Sequence, residues 1–212
     1  MSLTQFKDLK ADVWAFDNDG TLYQNSKEVE SSVNVLMDRY IANLFGTSEK
    51  EGRKKRKELL EKHNTNYTLI ALRCEGIIDE DDFIQNTYLA VGPWQHGIMP
   101  NAQLREDLQC LTGEKIVLTN NPSEFAELIM RALGIRDLFS YIYGVRELNF
   151  VQKPRREAFA VLEAFVKGGK KVIFFDDAIE NIKTAKSIGC ITVLVGEALS
   201  LKNCDFWVPA LI

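Results

Sequence analysis

The chain has 212 residues, of which 46% are hydrophobic, and it carries a formal net charge of −4 with an isoelectric point near 5.4. This composition allows a sizeable globular core, and the acidic balance excludes a general attraction to nucleic acid or to an anionic membrane. The four cysteines form no Cys-x-x-Cys pair and only two histidines are present, which argues against a zinc site.

The first predicted element is a strand near residues 12–17, an apolar run that ends in an acidic loop. Because side chains alternate along a strand, Asp17 and Asp19 project to the same side. Two neighbouring carboxylates repel each other, and burying them together requires a proton or a cation, for which a metal ion is the simplest choice. Gly20 lets the chain turn away from the strand, and Thr21 offers a hydroxyl to hold the turn or a ligand.

A helical pattern follows the first strand and continues to about residue 90. Apolar residues at helical spacing predict the first helix, and Ser48 with Glu51 three residues later predicts a capping box at the start of the second. The basic run 53–57 is predicted to be a solvated helix face, because glutamates flank it and no aromatic residues interleave with it. The predicted helices are Ser31 to Phe45, one that begins at Ser48, Tyr67 to Cys74, and Asp79 to Leu89.

From Pro100 onward, helices and strands alternate. The predicted elements are a helix ending near Gly113, strand 115–118, helix 123–133, strand 141–143, helix 154–167, strand 171–175, helix 178–188 and strand 191–195. Continuous apolar runs rich in Val, Ile and Phe are typical of parallel strands covered on both faces. We therefore predict an α/β fold with a Rossmann-like three-layer core of residues 1–24 and 98–212, and a small all-helical cap of residues 25–97 inserted after the first strand.

Three of the predicted strands end in polar residues, Asp17, Thr119 and Asp176. Ligands of open α/β sheets bind outside the carboxyl ends of the strands, so these residues are expected to lie along one edge. A Mg²⁺ ion between Asp17 and Asp176 would suit such a carboxylate pair. An insertion placed directly after the acidic loop would cover this edge, exclude water and contact the substrate.

The residues at this edge suggest phosphoryl transfer. With Mg²⁺ bound, Asp17 can attack phosphorus and form an aspartyl-phosphate. Asp19 can protonate the leaving oxygen and later take a proton from the attacking water. Lys153, Thr119 and the backbone amides around Asn18 and Asp19 are the candidates to hold the phosphate oxygens.

Four short motifs, in this order, resemble the signature motifs of the haloacid dehalogenase superfamily, most of whose members are Mg²⁺-dependent phosphatases. The motifs are Asp17-Asn18-Asp19-Gly20-Thr21, Thr119-Asn120, Lys153-Pro154 and Asp176-Asp177. The resemblance spans residues 12–195 and implies that Asp17 is the nucleophile and Asp19 the acid and base. It implies a phosphate site formed by Asn18, Thr119, Asn120 and Lys153. The metal site it implies consists of Asp17, Asp19, Asp176 and Asp177.

A finer resemblance points to the pyrimidine 5′-nucleotidase group of this superfamily. It is carried by Tyr23 after the acidic loop, by Arg73 in the predicted cap and by Asn181 after the second acidic pair. Ala178 departs from the pattern, because those relatives often have Ser there. Thr21, Tyr23, Arg73 and Asn181 are therefore candidates to support the site or to contact the substrate.

The leading hypothesis is a Mg²⁺-dependent phosphatase that acts on a small phosphorylated metabolite, with a pyrimidine nucleoside 5′-monophosphate favoured. A sugar-phosphate phosphatase or a phosphomutase on the same scaffold is an alternative. A non-catalytic regulatory module that binds phosphate and Mg²⁺, in the manner of a response-regulator receiver, is a third. Asp19 favours a phosphatase over a dehalogenase, because an alkoxide leaving group needs an acid and a halide does not.

Location and partners follow from what the sequence lacks. Residues 1–13 contain no apolar core of a signal peptide, and no run of about 18 apolar residues occurs. We therefore expect a cytoplasmic protein with reduced thiols and with neither a membrane nor a nucleic-acid partner. The oligomeric state is left open.

Overall fold

The computed structural model describes residues 3–197 and 203–211. Its strands are β1 (Val13–Phe16), β2 (Glu114–Leu118), β3 (Tyr141–Tyr143), β4 (Val172–Asp176), β5 (Ile191–Val195) and β6 (Phe206–Val208). In the described residues they form one six-stranded sheet in the order β3-β2-β1-β4-β5-β6, and every neighbouring pair is parallel. The predicted parallel α/β fold is confirmed.

The helices connect these strands and form an insertion after β1. They are α1 (Ser26–Phe45), α2 (Glu49–Lys62), α3 (Thr68–Glu75), α4 (Glu80–Asn86), α5 (Ala102–Gln109), α6 (Ser123–Ala132), α7 (Ala160–Lys167) and α8 (Ile179–Ser187). Short 3₁₀ helices cover Leu3–Leu9, Pro93–His96, Arg136–Leu138 and Arg156–Phe159. Within the described residues, none of the helices is both long and apolar enough to cross a membrane.

The central strand β1 is buried on both faces, which explains its unbroken apolar sequence. Val13 and Ala15 belong to one core cluster, which includes Leu162 of α7. Phe16 lies on the opposite face and stacks on Phe175 of β4, with 4.6 Å between the ring centroids. On that face Phe6 of the 3₁₀ helix Leu3–Leu9 packs edge-on against Phe175, so helical segments cover the sheet on both sides, as expected for a three-layer fold.

Strand register brings the two acidic strand ends to the same level. Phe16 of β1 pairs with Phe175 of β4, so the next residues, Asp17 and Asp176, lie side by side at the carboxyl edge. The backbone N–H of Asp17 donates to the carbonyl of Phe175 at 2.8 Å, which extends this pairing one residue beyond β1. The sheet itself thus positions the first acid of each motif.

The chain divides into two compact units. One, the core unit, contains the described residues up to Ser26 and from Pro93 onward; the other, the helical unit, is Lys27–Gly92. In the helical unit, α1 and α2 approach closely at Gly52, where an added Cβ would lie 2.5 Å from the carbonyl oxygen of Asp38. The predicted capping box is present, with Ser48 Oγ and the Glu51 carboxylate bonded to each other's backbone N–H groups.

The prediction that the basic run 53–57 is a solvated face is wrong for one member. Arg56 is only 12% exposed, and its guanidinium donates to Asp38 at 2.6 Å, to Asn34 at 2.9 Å and to Thr68 at 3.3 Å. Asp38 is itself buried, and a buried carboxylate needs a cationic or hydrogen-bonded partner. Arg53, by contrast, is 62% exposed and also contacts Asp38.

Several element boundaries differ from the predictions. Helix α1 begins at Ser26 rather than Ser31, because Val29 continues the buried stripe toward the N-terminus. The helix predicted over 154–167 is a turn and a 3₁₀ segment before α7, since Arg155 has an extended backbone conformation. Four short elements were not predicted: β6 and the 3₁₀ helices Leu3–Leu9, Pro93–His96 and Arg136–Leu138.

Candidate active site

The acidic loop leaves β1 through a tight turn. The N–H of Leu22 donates to the carbonyl of Asn18 at 3.0 Å, and Gly20 adopts a φ of +79°, a conformation that L side chains rarely adopt. A Cβ at Gly20 would lie 2.3 Å from Oδ2 of Asp177. Glycine therefore lets the first acidic loop approach the second acidic pair.

The second acidic pair is held by the start of α8. Asp176 is fully buried, and its carboxylate accepts from the N–H of Ala178 at 2.8 Å and from Nδ2 of Asn181 at 2.9 and 3.0 Å. Asn181, predicted to support the site, therefore contacts Asp176 directly. Asp177 as a residue is exposed, but its carboxylate lies against Gly20 and is shielded from water on that side.

Lys153 joins the two acidic motifs. Its Nζ lies 2.7 Å from Oδ1 of Asp17 and 2.7 Å from Oδ2 of Asp176, and all three residues are buried. The side chain of Asn120 bonds twice to the main chain of Lys153, accepting from its N–H at 2.8 Å and donating to its carbonyl at 3.0 Å. Asn120, predicted to bind phosphate, thus holds the backbone of the lysine.

Burial and charge shift the pKa values of these groups. Burial raises the pKa of Asp17 well above its usual range, although Lys153 opposes the shift. Burial alone would lower the pKa of Lys153, but Asp17 and Asp176 outweigh it and raise the pKa above its ordinary value. Loss of hydration, with the charge of Asp176 beside it, raises the pKa of Asp177 to about 6. The site gathers more negative charge than its lysine neutralises.

The Asp19 carboxylate has its own set of donors. The hydroxyl of Tyr23 donates to Oδ1, and Nδ2 of Asn121 donates to Oδ2 at 2.9 Å. Nδ2 of Asn18 lies 3.4 Å from the same Oδ2. Asn121 was not among the predicted site residues, although it belongs to the polar run that ends β2.

The threonines lie in buried positions around this network. Thr119 follows β2, and its Oγ1 accepts from the N–H of Asn121 at 3.2 Å. Thr21 is fully buried, and its Oγ1 has no hydrogen-bond partner among the described residues; the same is true of Oδ1 of Asn18. Such orphaned acceptors in a buried loop are common where a ligand or ordered water completes the site.

One predicted site residue belongs to the other unit. Arg73 lies on α3 of the helical unit, where its guanidinium pairs with Glu80. All of the other predicted residues belong to the core unit. Among these, Asp17, Lys153, Asp176 and Asn181 are joined by direct contacts.

The donor set fits a divalent cation such as Mg²⁺. Among the described residues, one carboxylate oxygen from each of Asp17, Asp176 and Asp177 lies within 4.8 Å of the other two. Mg²⁺ prefers carboxylate oxygens supplemented by water and phosphate oxygens. Three carboxylates against the single charge of Lys153 leave an excess of two negative charges, which a divalent cation balances. The Asp19 carboxylate accepts hydrogen bonds from Tyr23 and Asn121 and does not belong to this group of three carboxylates.

Two curated proteins are similar to this chain in sequence. Phosphate metabolism protein 8 of Saccharomyces cerevisiae is 30% identical over 200 residues, covering 84% of this chain and 59% of the yeast protein. Phosphoglycolate phosphatase of Pectobacterium atrosepticum is 30% identical over 113 residues, covering 49% of this chain and 48% of that protein. The chain therefore spans only about half to three fifths of these relatives.

Solved structures are similar to this chain over most of its length. A haloacid dehalogenase phosphatase from Thermococcus onnurineus superposes with a TM-score of 0.64 at 16% identity, covering 94% of both chains. A β-phosphoglucomutase from Clostridium difficile gives 0.59 at 19% identity, covering 95% of this chain and 92% of its own. The family model described as haloacid dehalogenase-like hydrolase matches residues 11–189. The chain therefore belongs to the haloacid dehalogenase-like hydrolase family.

Proposed function

We propose that this protein is a Mg²⁺-dependent phosphatase that hydrolyses a small phosphomonoester through an aspartyl-phosphate intermediate. The observation that carries the proposal is the buried contact of Lys153 with Asp17 and Asp176, beside an Asp19 carboxylate held by separate donors. A nucleophile, a phosphate-binding cation and a separate acid and base are what phosphate ester hydrolysis requires.

In the first step, an oxygen of Asp17 attacks phosphorus. The bond between phosphorus and the leaving oxygen breaks, and the leaving oxygen takes a proton from Asp19. The strand pairing that fixes Asp17 beside β4 holds the attacking carboxylate in place, which favours an in-line approach.

In the second step, a water molecule attacks phosphorus of the aspartyl-phosphate. Asp19, now unprotonated, takes the proton of that water, and the bond between phosphorus and the Asp17 oxygen breaks to release inorganic phosphate. Both carboxyl groups return to their starting states, so the cycle needs no further reactant. A receiver domain that only holds a phosphoryl group has little need of the Asp19 carboxylate.

The phosphate oxygens need positive charge and hydrogen-bond donors. An ammonium group has three N–H donors, and the contacts to Asp17 and Asp176 account for two of those of Lys153, which leaves one for a phosphate oxygen. The Thr119 hydroxyl and the backbone amides of Asn18 and Asp19 are the further donors we assign to the phosphate. Asn120 keeps Lys153 in position through its main chain.

We assign the metal site to Asp17, Asp176 and Asp177, whose oxygens form the carboxylate group described above. When bound, Mg²⁺ supplies positive charge that offsets repulsion between these carboxylates and the phosphate. Asn181 and the N–H of Ala178 orient Asp176 for this task.

The substrate we favour is a pyrimidine nucleoside 5′-monophosphate. The names of the two sequence relatives, which refer to phosphate metabolism and to phosphoglycolate, support a small phosphorylated metabolite more broadly. Because the chain carries a mild net negative charge, local cationic groups such as Lys153 have to attract the anionic phosphate ester.

A substrate panel tests the proposal. Phosphate release is measured from nucleoside monophosphates, sugar phosphates, phosphoglycolate and an aryl phosphate, with Mg²⁺ and with a chelator. We expect turnover only with Mg²⁺, and Asp17→Asn lowers it by about 10³-fold or more because the nucleophile is lost. Asp137→Asn, at an exposed ion pair with Arg105, is the matched control and keeps full turnover. Full activity of Asp17→Asn would contradict the assignment of the nucleophile.

A further inference from the structure

We propose that Tyr23 and Asn121 are positioning residues that fix which oxygen of Asp19 carries the transferred proton. The inference rests on the proposed function, because it requires Asp19 to act as acid and base. It adds a division of labour between the two carboxyl oxygens: Oδ1 carries the proton, and Oδ2 remains an acceptor throughout the cycle.

The acidic loop brings Tyr23 back onto Asp19. The turn at Gly20 and the hydrogen bond from Leu22 to Asn18 reverse the chain, and the backbones of Asp19 and Tyr23 form an isolated parallel bridge. Tyr23 is only 4% exposed, so its ring is fixed by packing. A buried phenol hydroxyl requires a hydrogen-bond partner, and Oδ1 of Asp19 is one.

Asn121 reaches the other oxygen from a different strand end. It lies 102 residues away in sequence, and its Nδ2 donates to Oδ2 at 2.9 Å. Its own N–H donates to Thr119 Oγ1, which fixes the backbone at this position. Asp19 therefore accepts hydrogen bonds from two separate segments of the core unit, and these bonds restrict rotation of its carboxyl group.

The chemistry of the two donors distinguishes the two oxygens. The amide Nδ2 of Asn121 can only donate, so the oxygen that faces it has to remain an acceptor whether or not Asp19 is protonated. A phenol hydroxyl can donate or accept, so Tyr23 keeps its hydrogen bond to Asp19 in both states. The proton is therefore held on Oδ1, where the Tyr23 oxygen can accept it.

The proton transfers balance on this arrangement. In the first step the Oδ1–H group turns from the Tyr23 oxygen to the leaving oxygen, and the Oδ1–H bond breaks as its proton passes across. The electron pair of the broken P–O bond stays on the leaving oxygen and forms its new O–H bond with that proton. The Tyr23 hydroxyl then turns to donate to the unprotonated Oδ1. In the second step an O–H bond of water breaks, and Oδ1 takes the proton while the water oxygen bonds to phosphorus.

A purely structural role for Tyr23 makes a different prediction. If the tyrosine only fills space, Tyr23→Phe keeps the ring and alters all substrates alike. Tyr40 provides a matched control, because its hydroxyl also donates to an aspartate, Asp82, at 2.8 Å in the helical unit. Tyr40→Phe removes the same kind of hydrogen bond without touching the acidic loop.

The experiment compares kcat/KM for an alkyl phosphate and for 4-nitrophenyl phosphate, since kcat/KM reports the step in which the leaving group departs. Nitrophenolate departs without protonation, whereas an alkoxide needs the acid. We expect Tyr23→Phe and Asn121→Leu to lower kcat/KM about tenfold or more for the alkyl phosphate and less than about threefold for the aryl phosphate. Tyr40→Phe leaves both values unchanged.

The outcomes separate this inference from the proposed function. The positioning role would be overturned if a folded Tyr23 or Asn121 variant lost kcat/KM equally for the two substrates, or lost it for neither. Wild-type activity, and with it the proposed function, would still stand. Wild-type protein that releases phosphate from neither substrate would overturn the proposed function, and the positioning role with it. Thermal unfolding of each variant establishes that it is folded before its kinetics are compared.

Discussion

Replacing Lys153 with methionine should destabilise the core unit strongly, and added Mg²⁺ should restore part of the loss. Methionine keeps most of the side-chain volume but removes the ammonium group that lies 2.7 Å from both Asp17 and Asp176. The variant leaves the carboxylates of Asp17, Asp176 and Asp177 close together with no lysine to offset them.

The magnitude follows from burial. Lys153 is 4% exposed, Asp17 7% and Asp176 0%, so water cannot solvate the carboxylates that remain. Removing one partner of a buried ion pair lowers the free energy of unfolding by about 3–5 kcal/mol. For a chain of this size, that corresponds to a melting temperature lower by about 6–20 °C.

Urea unfolding and thermal melting, each with a chelator and with Mg²⁺, measure the effect. Mg²⁺ at about 100 times its dissociation constant should return about 2.7 kcal/mol, because it binds only the folded carboxylate group. Lys183→Met is the control: its partner Glu180 is exposed, and such a pair contributes about 0.5 kcal/mol or less. A loss below about 1 kcal/mol for Lys153→Met, or one that Mg²⁺ leaves unchanged, would refute the reasoning.

Three further outcomes are expected. Gly20→Ala should lower both the melting temperature and phosphatase activity, since its Cβ would lie 2.3 Å from Oδ2 of Asp177; normal values for both would contradict the close approach. Arg56→Met should destabilise by about 3 kcal/mol, well above the effect of Arg53→Met, because only Arg56 is mostly buried; equal effects in urea unfolding would count against this. Burial and a hydrogen bond to a carboxylate raise the pKa of Tyr40 to about 12. The contribution of Tyr40 to folding stability is therefore present below about pH 10 and is lost as the pH rises through about 12. Titration of the Tyr40 phenolate absorbance near pH 10 would contradict this prediction.

The sequence predicted the sheet well because each strand is a continuous apolar run between turn signals. The central strands β1, β4 and β5 were placed within one residue of their observed bounds, since burial on both faces leaves few polar residues in them. Strand β6 was missed because three residues at an edge carry too little periodicity to stand out.

The site was predicted where residues are close in sequence, and less well where they meet through the fold. Asp17 and Asp19 could be identified from one loop, because two carboxylates at this spacing after a buried strand repel each other unless a cation or a proton intervenes. The contact of Asn121 with Asp19 joins residues 102 positions apart, and the contact of Asn120 with Lys153 joins residues 33 apart. Such pairings depend on strand order and register, which local patterns do not specify.

Trapping the covalent intermediate tests the central claim most directly. Wild-type protein with Mg²⁺ is mixed with excess 4-nitrophenyl phosphate, quenched in acid during turnover and digested, and the peptides are analysed by mass spectrometry. The account predicts one phosphoryl group on the peptide that contains Asp17, and none on that peptide from Asp17→Asn. Steady turnover with no phosphoryl group on Asp17, or with one on a different residue, would contradict the account.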